Sequence, residues 1–234
     1  IALVALHPTD GEDAFQPAAS QHRIDRLALS NPSVAESTPT FVVESGEPRR
    51  GYDAWAEVQR DILNAELARQ DVSELDVEVV KTDNGYRASV THTNLVSTNA
   101  TQLTMMVVEH GKAMPDNAVN PGGDHRDRVV VGLAECSLNN HSITTSVSLL
   151  SASVESTCET SFAIEFEDLK TWSVLLIHEP TATALASGED PSSHGAVELA
   201  FRDRATVDEA GGNIGFLLLV TCGVLALASI VRKK

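Results

Sequence analysis

The sequence predicts three structural parts in chain order: a mixed α/β segment, an antiparallel β-sandwich and a membrane-spanning helix. Three observations carry this. Apolar residues recur at three and four positions between Asp53 and Gln70. From Leu75 onward the apolar period changes to two, over seven segments in about 105 residues. The 18 residues from Ile214 to Val231 contain no charged side chain.

The first element is the apolar run Ile1 to Leu6, ended by His7-Pro8 and read as a buried strand of a parallel or mixed sheet. Between Pro17 and Leu29, the positions Ala18, Ile24, Leu27 and Ala28 give a helix, with Pro17 suited to its first turn. After Asn31-Pro32, residues Ser37 to Val43 form a strand with a proline near its start. Gly46-Glu47-Pro48 is a turn. The helix that follows places Trp55, Val58, Ile62 and Ala65 on one face, with Asp53 as its expected N-cap.

The sandwich strands follow in pairs and triplets of alternating apolar residues. They are Val77 and Val79; Tyr86, Ala88 and Val90; Leu103, Met105 and Val107; Val129, Val131 and Leu133; Phe162, Ile164 and Phe166; Trp172, Val174 and Leu176, together with the Ser/Thr-rich run His141 to Leu150. Turn signals such as Asp83-Asn84-Gly85 and Asn120-Pro121-Gly122-Gly123 separate them. Strands this short at this spacing predict an immunoglobulin-like sandwich over 75–180. Residues 181–213, rich in Ala, Ser, Gly and acids, are expected to form an extended acidic stalk.

The segment Ile214 to Val231 is long enough, at about 1.5 Å per residue, to cross a thin hydrocarbon layer. Arg232, Lys233 and Lys234 follow it, and positive charge resists translocation. The expected arrangement is a single-pass membrane protein with residues 232–234 in the cytoplasm and the N-terminal part outside. Export then requires a signal upstream of Ile1, and the reading takes residue 1 as an interior position of a longer protein. Over the whole chain, 17 Lys and Arg face 33 Asp and Glu, a formal charge of −16; without the three basic residues at the end, 14 remain and the charge is −19. Such a surface disfavours nucleic acid as a partner. Lysine occurs before the anchor only at Lys81, Lys112 and Lys170, and this depletion suits a saline setting.

The run Ala5 to Asp10, Arg23, the stretch Thr38 to Val43 and the run Arg50 to Trp55 with its helix together resemble the C-terminal part of a thioredoxin-like domain. Among families with that domain, the chain is similar to the Omp28-related group of exported proteins. Val108 to Gly111 and Asp124 to Val129 look like the β-sandwich that follows in that group. The resemblance spans roughly residues 1–178, and implies a partial thioredoxin-like domain over 1–72. It also implies that Pro39 stands where thioredoxin folds carry a cis proline before their fourth strand. The dithiol motif Cys-x-x-Cys, which runs redox chemistry in such domains, does not occur in these residues. Residues 1–234 are therefore expected to bind or to build the envelope, without resident catalysis. The alternative is a membrane-tethered thiol-disulfide oxidoreductase whose Cys-x-x-Cys lies upstream.

Other positions invite chemistry. Cys136 and Cys158 flank the His141 to Leu150 strand, and in an oxidising exterior they are expected to close a loop of 22 residues, with two free thiols as the alternative. Cys222 lies within the anchor and reads as a small apolar residue. His7, Asp10, Glu12 and Asp13 cluster after the first strand, where their oxygens and imidazole either hold a divalent cation or form a solvated loop; the spacing does not match a 12-residue calcium loop. His125 with Asp124 and Asp127, and Glu109 with His110, form a second polar group at strand ends. No nucleophile elbow, zinc-protease helix, P-loop or dinucleotide fingerprint occurs. Asn99-Ala100-Thr101 and Asn140-His141-Ser142 are sequons, usable on an exported domain.

Overall fold

Period-two apolar patterning drives two antiparallel sheets together, and the strand order shows how. The computed structural model describes residues 1–36, 39–69, 71–116 and 123–202. The smaller sheet contains β3 (Glu74–Thr82), β4 (Gly85–Asn94), β10 (Ser151–Ser153) and β11 (Ala163–Glu167), in the order β10-β11-β4-β3. The larger contains β5 (Thr101–Glu109), β8 (Val129–Ser137), β9 (Ser142–Val147), β12 (Thr171–Pro180) and β13 (Gly195–Arg202), in the order β13-β12-β5-β8-β9. Traced along the chain, these nine strands follow the order of an immunoglobulin variable-type sandwich, with the two extra strands on the edge of the larger sheet.

Inside the sandwich, Tyr86 of β4 and Phe166 of β11 meet Trp172 of β12, with ring centroids 4.8 and 5.2 Å from it. Pairs of this kind add about 0.5–1.5 kcal/mol each beyond the area they bury. Leu103, Met105 and Val107 of β5 lie opposite His178, Leu176 and Val174 of β12 and opposite Cys136, Ala134 and Gly132 of β8, so one row of side chains continues across three strands. The run His141 to Leu150 is divided rather than continuous. Ser148 takes a left-handed φ of 54°, and the chain passes there from β9 in the larger sheet to β10 in the smaller.

Cys136 of β8 is joined to Cys158, the first residue of the short helix α3 (Cys158–Ser161), and both are fully buried. The bridge ties the larger sheet to the segment that enters β11 of the smaller one.

The three central strands of the larger sheet, β5, β8 and β12, are buried on both faces. On the face away from the smaller sheet, Met106, Val108, Val130, Leu133, Leu175 and Ile177 form a cluster with Ala19 of helix α1 (Ala18–Ser30), and Val4 and Leu6 pack against it. The N-terminal run is not a strand of its own: it makes one parallel bridge, Ala5 to Val129, with Ala5 N–H donating to Arg128 and Val130 N–H to Ala5. Ile1 and Leu3 are exposed. Beyond α1, the two-stranded pair β1 (Thr40–Phe41) and β2 (Arg49–Arg50) supports helix α2 (Trp55–Ala68) through the Phe41–Trp55 contact and an Arg49–Asp61 fork of 2.6 and 3.0 Å. Asp53 lies in a 3-10 turn and does not cap α2, whose N-cap is Ala54. A further small ladder pairs β6 (Lys112–Ala113) with β7 (His125–Arg126). Residues 1–200 constitute one compact unit.

Residues 181–202 are not a stalk. Thr181 caps helix α4 (Ala182–Ala186) by accepting from Ala184 N–H, and β13 completes the larger sheet. Sheet hydrogen bonding organises this segment although its apolar period is weak. The remainder of the expected stalk, the span 214–231 with Cys222, and residues 232–234 lie outside the described residues. Among the described residues, no helix is long and apolar enough to cross a membrane.

Gly85 opens β4 after the Asp83-Asn84 turn with a φ of 151°, and a Cβ there would stand 2.0 Å from the Phe166 carbonyl oxygen. Gly85→Ala is expected to destabilise the fold by about 2–4 kcal/mol, read from denaturant midpoints, because backbone strain and a backbone clash act together. Cys136→Ala with Cys158→Ala is expected to cost about 3 kcal/mol in the same measurement, the chain-entropy value for a loop of this size.

Candidate functional site

Helix α1 presents a polar face to the sheet. Its buried residues are Ala19, Ser20 and Arg26, whereas Ala18 is exposed. Ser20 Oγ donates to the Val130 carbonyl at 2.8 Å. Arg23 forks onto Glu179 of β12, Nη1 to Oε1 at 2.7 Å and Nη2 to Oε2 at 2.8 Å. Arg26 lies 3.3 Å from the same carboxylate and donates to the Pro180 carbonyl, and Thr104 Oγ1 donates to Glu179 at 2.6 Å. Nearby, His22 contacts buried Glu135 at 3.2 Å. Burial pushes the Glu179 carboxyl upward, but Arg23 and Arg26 outweigh it and hold the pKa at about 2.

The second constellation lies where β5 turns toward β8. Asp127 Oδ1 bonds His110 Nδ1 at 2.9 Å, and His110 Nε2 bonds Ser173 Oγ at 3.1 Å. Burial raises the Asp127 carboxyl, and the His110 bond overrides that and lowers it. The connectivity is that of a hydrolytic triad, but its exposure is inverted. The Asp127 side chain is 65 % exposed, whereas Ser173 is 0 % exposed in mid-strand. A serine nucleophile has to meet a carbonyl carbon, and this one meets only protein. The chain of bonds fastens the β5–β8 corner to β12. Asp124 and His125 do not join it; both are exposed, and His125 belongs to the β6–β7 ladder.

The N-terminal polar loop folds onto itself. His7 Nδ1 bonds the Asp13 carboxylate at 2.9 and 3.1 Å, and its ring stands perpendicular to that of Phe15 with centroids 5.1 Å apart. Asp10 accepts the backbone N–H groups of Glu12 and Asp13 at 2.9 Å each, which lowers its carboxyl pKa. Glu12 is exposed. Lys112 joins this loop to the corner, with Nζ 5.8 Å from the Phe15 ring centre and 2.5 Å from Glu109. Among the described residues, no group of three or more His, Cys, Asp or Glu is gathered to hold a metal ion. His7, Asp10 and Asp13 are thus bonded within the loop, to one another or to its own backbone, while Glu12 is exposed.

Facing the smaller sheet, buried His178 is bonded through Nδ1 to Ser73 Oγ at 2.7 Å, and its ring lies 4.8 Å from His194. Burial and the neighbouring His194 push its pKa down to about 4. Pro39 directly precedes β1, and its carbonyl accepts the Gly51 N–H at 3.0 Å.

No family model matches the chain, and neither does any curated protein sequence. The fold resembles that of HBP35 of Porphyromonas gingivalis. The TM-score is 0.52 at 16% sequence identity, over 77% of this chain and 57% of that one. The chain thus spans little more than half of HBP35, and at this identity the likeness speaks of fold alone.

Stability is expected to fall with acid in two windows. His178 is neutral when folded, so stability is full above about pH 6.5 and declines as the unfolded chain takes up a proton, down to pH 4. Glu179 is ionised when folded, so its contribution is full above about pH 4.5 and is lost as pH falls to 2. Each window amounts to about 3 kcal/mol at 1.36 kcal/mol per pKa unit. In pH-dependent unfolding, His178→Phe is expected to flatten the upper window and Glu179→Gln the lower. At neutral pH, Glu179→Gln is also expected to cost about 3–5 kcal/mol, because it leaves two buried guanidinium groups without their carboxylate.

Proposed function

We propose that the chain is the extracytoplasmic part of a single-pass membrane protein, related to the Omp28 group, that acts as a binding or envelope-structural module. The carrying observation is the buried Cys136–Cys158 bridge from the larger sheet to α3, since such structural disulfides belong to oxidising compartments. The apolar stretch Ile214 to Val231 with Arg232 to Lys234 supports the tether, and the acidic composition supports a solvated exterior. The inverted exposure of Asp127, His110 and Ser173 favours binding or structure over hydrolysis.

A second reading is a membrane-tethered thiol-disulfide oxidoreductase, favoured by Pro39 lying directly before β1, with its reactive dithiol supplied upstream. Insulin reduction by the full-length protein is the test of this reading, and a flat trace contradicts it.

For the leading reading, protease added to intact cells is expected to degrade the region before residue 214 and to leave a membrane-embedded fragment that contains residues 214–234. Full protection until the cells are opened would contradict the outward orientation.

A further inference from the structure

Both sequons fall in exposed turns, and the two turns touch. Asn99 lies in the connection between β4 and β5, and Asn140 in the turn between β8 and β9. Ala100 N–H donates to the Asn139 side-chain carbonyl at 3.1 Å, so the two turns share one end of the sandwich.

Their environments differ in the group that a glycosyltransferase must also recognise, the hydroxyl two residues on. Thr101 is 4 % exposed, opens β5 opposite Pro180, and donates its hydroxyl to the Ser97 carbonyl at 3.2 Å. Reaching it requires peeling the strand from the sheet. Ser142 is only part-buried, and its hydroxyl donates to Asn140 itself, Oγ to Oδ1 at 2.8 Å. Both recognition groups of this sequon therefore lie together in one surface turn. His141 between them takes a left-handed φ of 51°, which brings the two side chains to the same side of the turn. Among the described residues the amide nitrogen of Asn140 has no hydrogen-bond partner, whereas neighbouring Asn139 is engaged by the turn.

We infer that Asn140 is an N-glycan acceptor in the folded protein and that Asn99 is not. This rests on the proposed extracytoplasmic placement, because the donor is a lipid-diphosphate-linked oligosaccharide handled by an oligosaccharyltransferase outside the cytoplasm. In the transfer, a bond forms between Asn140 Nδ2 and the anomeric carbon of the sugar. The bond from that carbon to the diphosphate oxygen breaks, and its electron pair leaves with the lipid diphosphate. One Nδ2 proton passes to a base of the transferase. The glycan then sits at the end of the sandwich formed by the β4–β5 and β8–β9 turns, and keeps that end hydrated.

The test uses the full chain in detergent with its disulfide intact, a purified oligosaccharyltransferase and a lipid-diphosphate-linked oligosaccharide, read by peptide mass mapping. A glycan is expected on Asn140 and not on Asn99. Asn140→Gln and Ser142→Ala are each expected to abolish it, and Thr101→Ala to leave it unchanged. Transfer to Asn140 only after reduction and unfolding, or no transfer there at all, overturns the inference. In intact cells, a glycosylated Asn140 on a chain that also reacts with a membrane-impermeant biotin reagent is the expected pairing. An unmodified Asn140 on a reactive chain overturns the acceptor site and leaves the outward placement standing. A chain that the reagent cannot reach overturns both.

Discussion

A carboxylate withdrawn from water has to be met by opposite charge or it is neutralised, and at Glu179 that requirement joins the two halves of the described chain. Glu179 belongs to β12 of the larger sheet, and its partners Arg23 and Arg26 come from α1, more than 150 residues earlier. Their packing brings Ser20 onto the β8 backbone and Ala19 into the apolar cluster, and it leaves Val4 and Leu6 to cover what the helix does not reach. A buried ion pair of this kind adds little over a well-packed apolar seam. Its main consequence is orientation, since a bidentate fork accepts one register of helix on sheet.

With α1 in place, the central strands of the five-stranded sheet are covered on both faces, and this bears on function. The core rows of β5, β8 and β12 are filled by side chains, the disulfide ends in the interior, and Ser173 is closed over. Beside the buried cluster of Arg23, Arg26 and Glu179, polar groups gather at rims: the corner of Asp127 and His110, the loop of His7 and Asp13, and the end where the Asn99 and Asn140 turns meet. A domain built this way offers surfaces and loop ends.

Much of the architecture was legible in the sequence because it obeys local periodicity. Alternation at Tyr86-Ala88-Val90 reflects one face turned inward, Leu103-Met105-Val107 marks one of the two buried faces of β5, and both strands stand where these residues indicate. What escaped was set by partners distant in sequence. The inner face of α1 carries Ser20, Arg23 and Arg26, so a search for an apolar stripe picked Ala18 instead. β13 carries little sequence signal because backbone pairing with β12 supplies what its weak apolar period lacks. Asp127 and His110 were visible as polar strand-end residues, but Ser173 lies 63 residues beyond His110 inside an apolar strand, with no local signal to connect them. The backbone N–H groups that Asp10 accepts within its own loop have no signature in the spacing of His7, Asp10, Glu12 and Asp13.

The central claim is that α1 is part of the sandwich's cooperative unit, held by Arg23, Arg26 and Glu179. Native-state hydrogen exchange measured across α1 and β12 in the same sample tests it most directly. The amides of Arg23 to Leu27 are expected to exchange with an opening free energy equal to that of the β12 core, and both are expected to fall together as denaturant is added. Exchange of α1 through a separate, low-energy opening while β12 stays protected would contradict it.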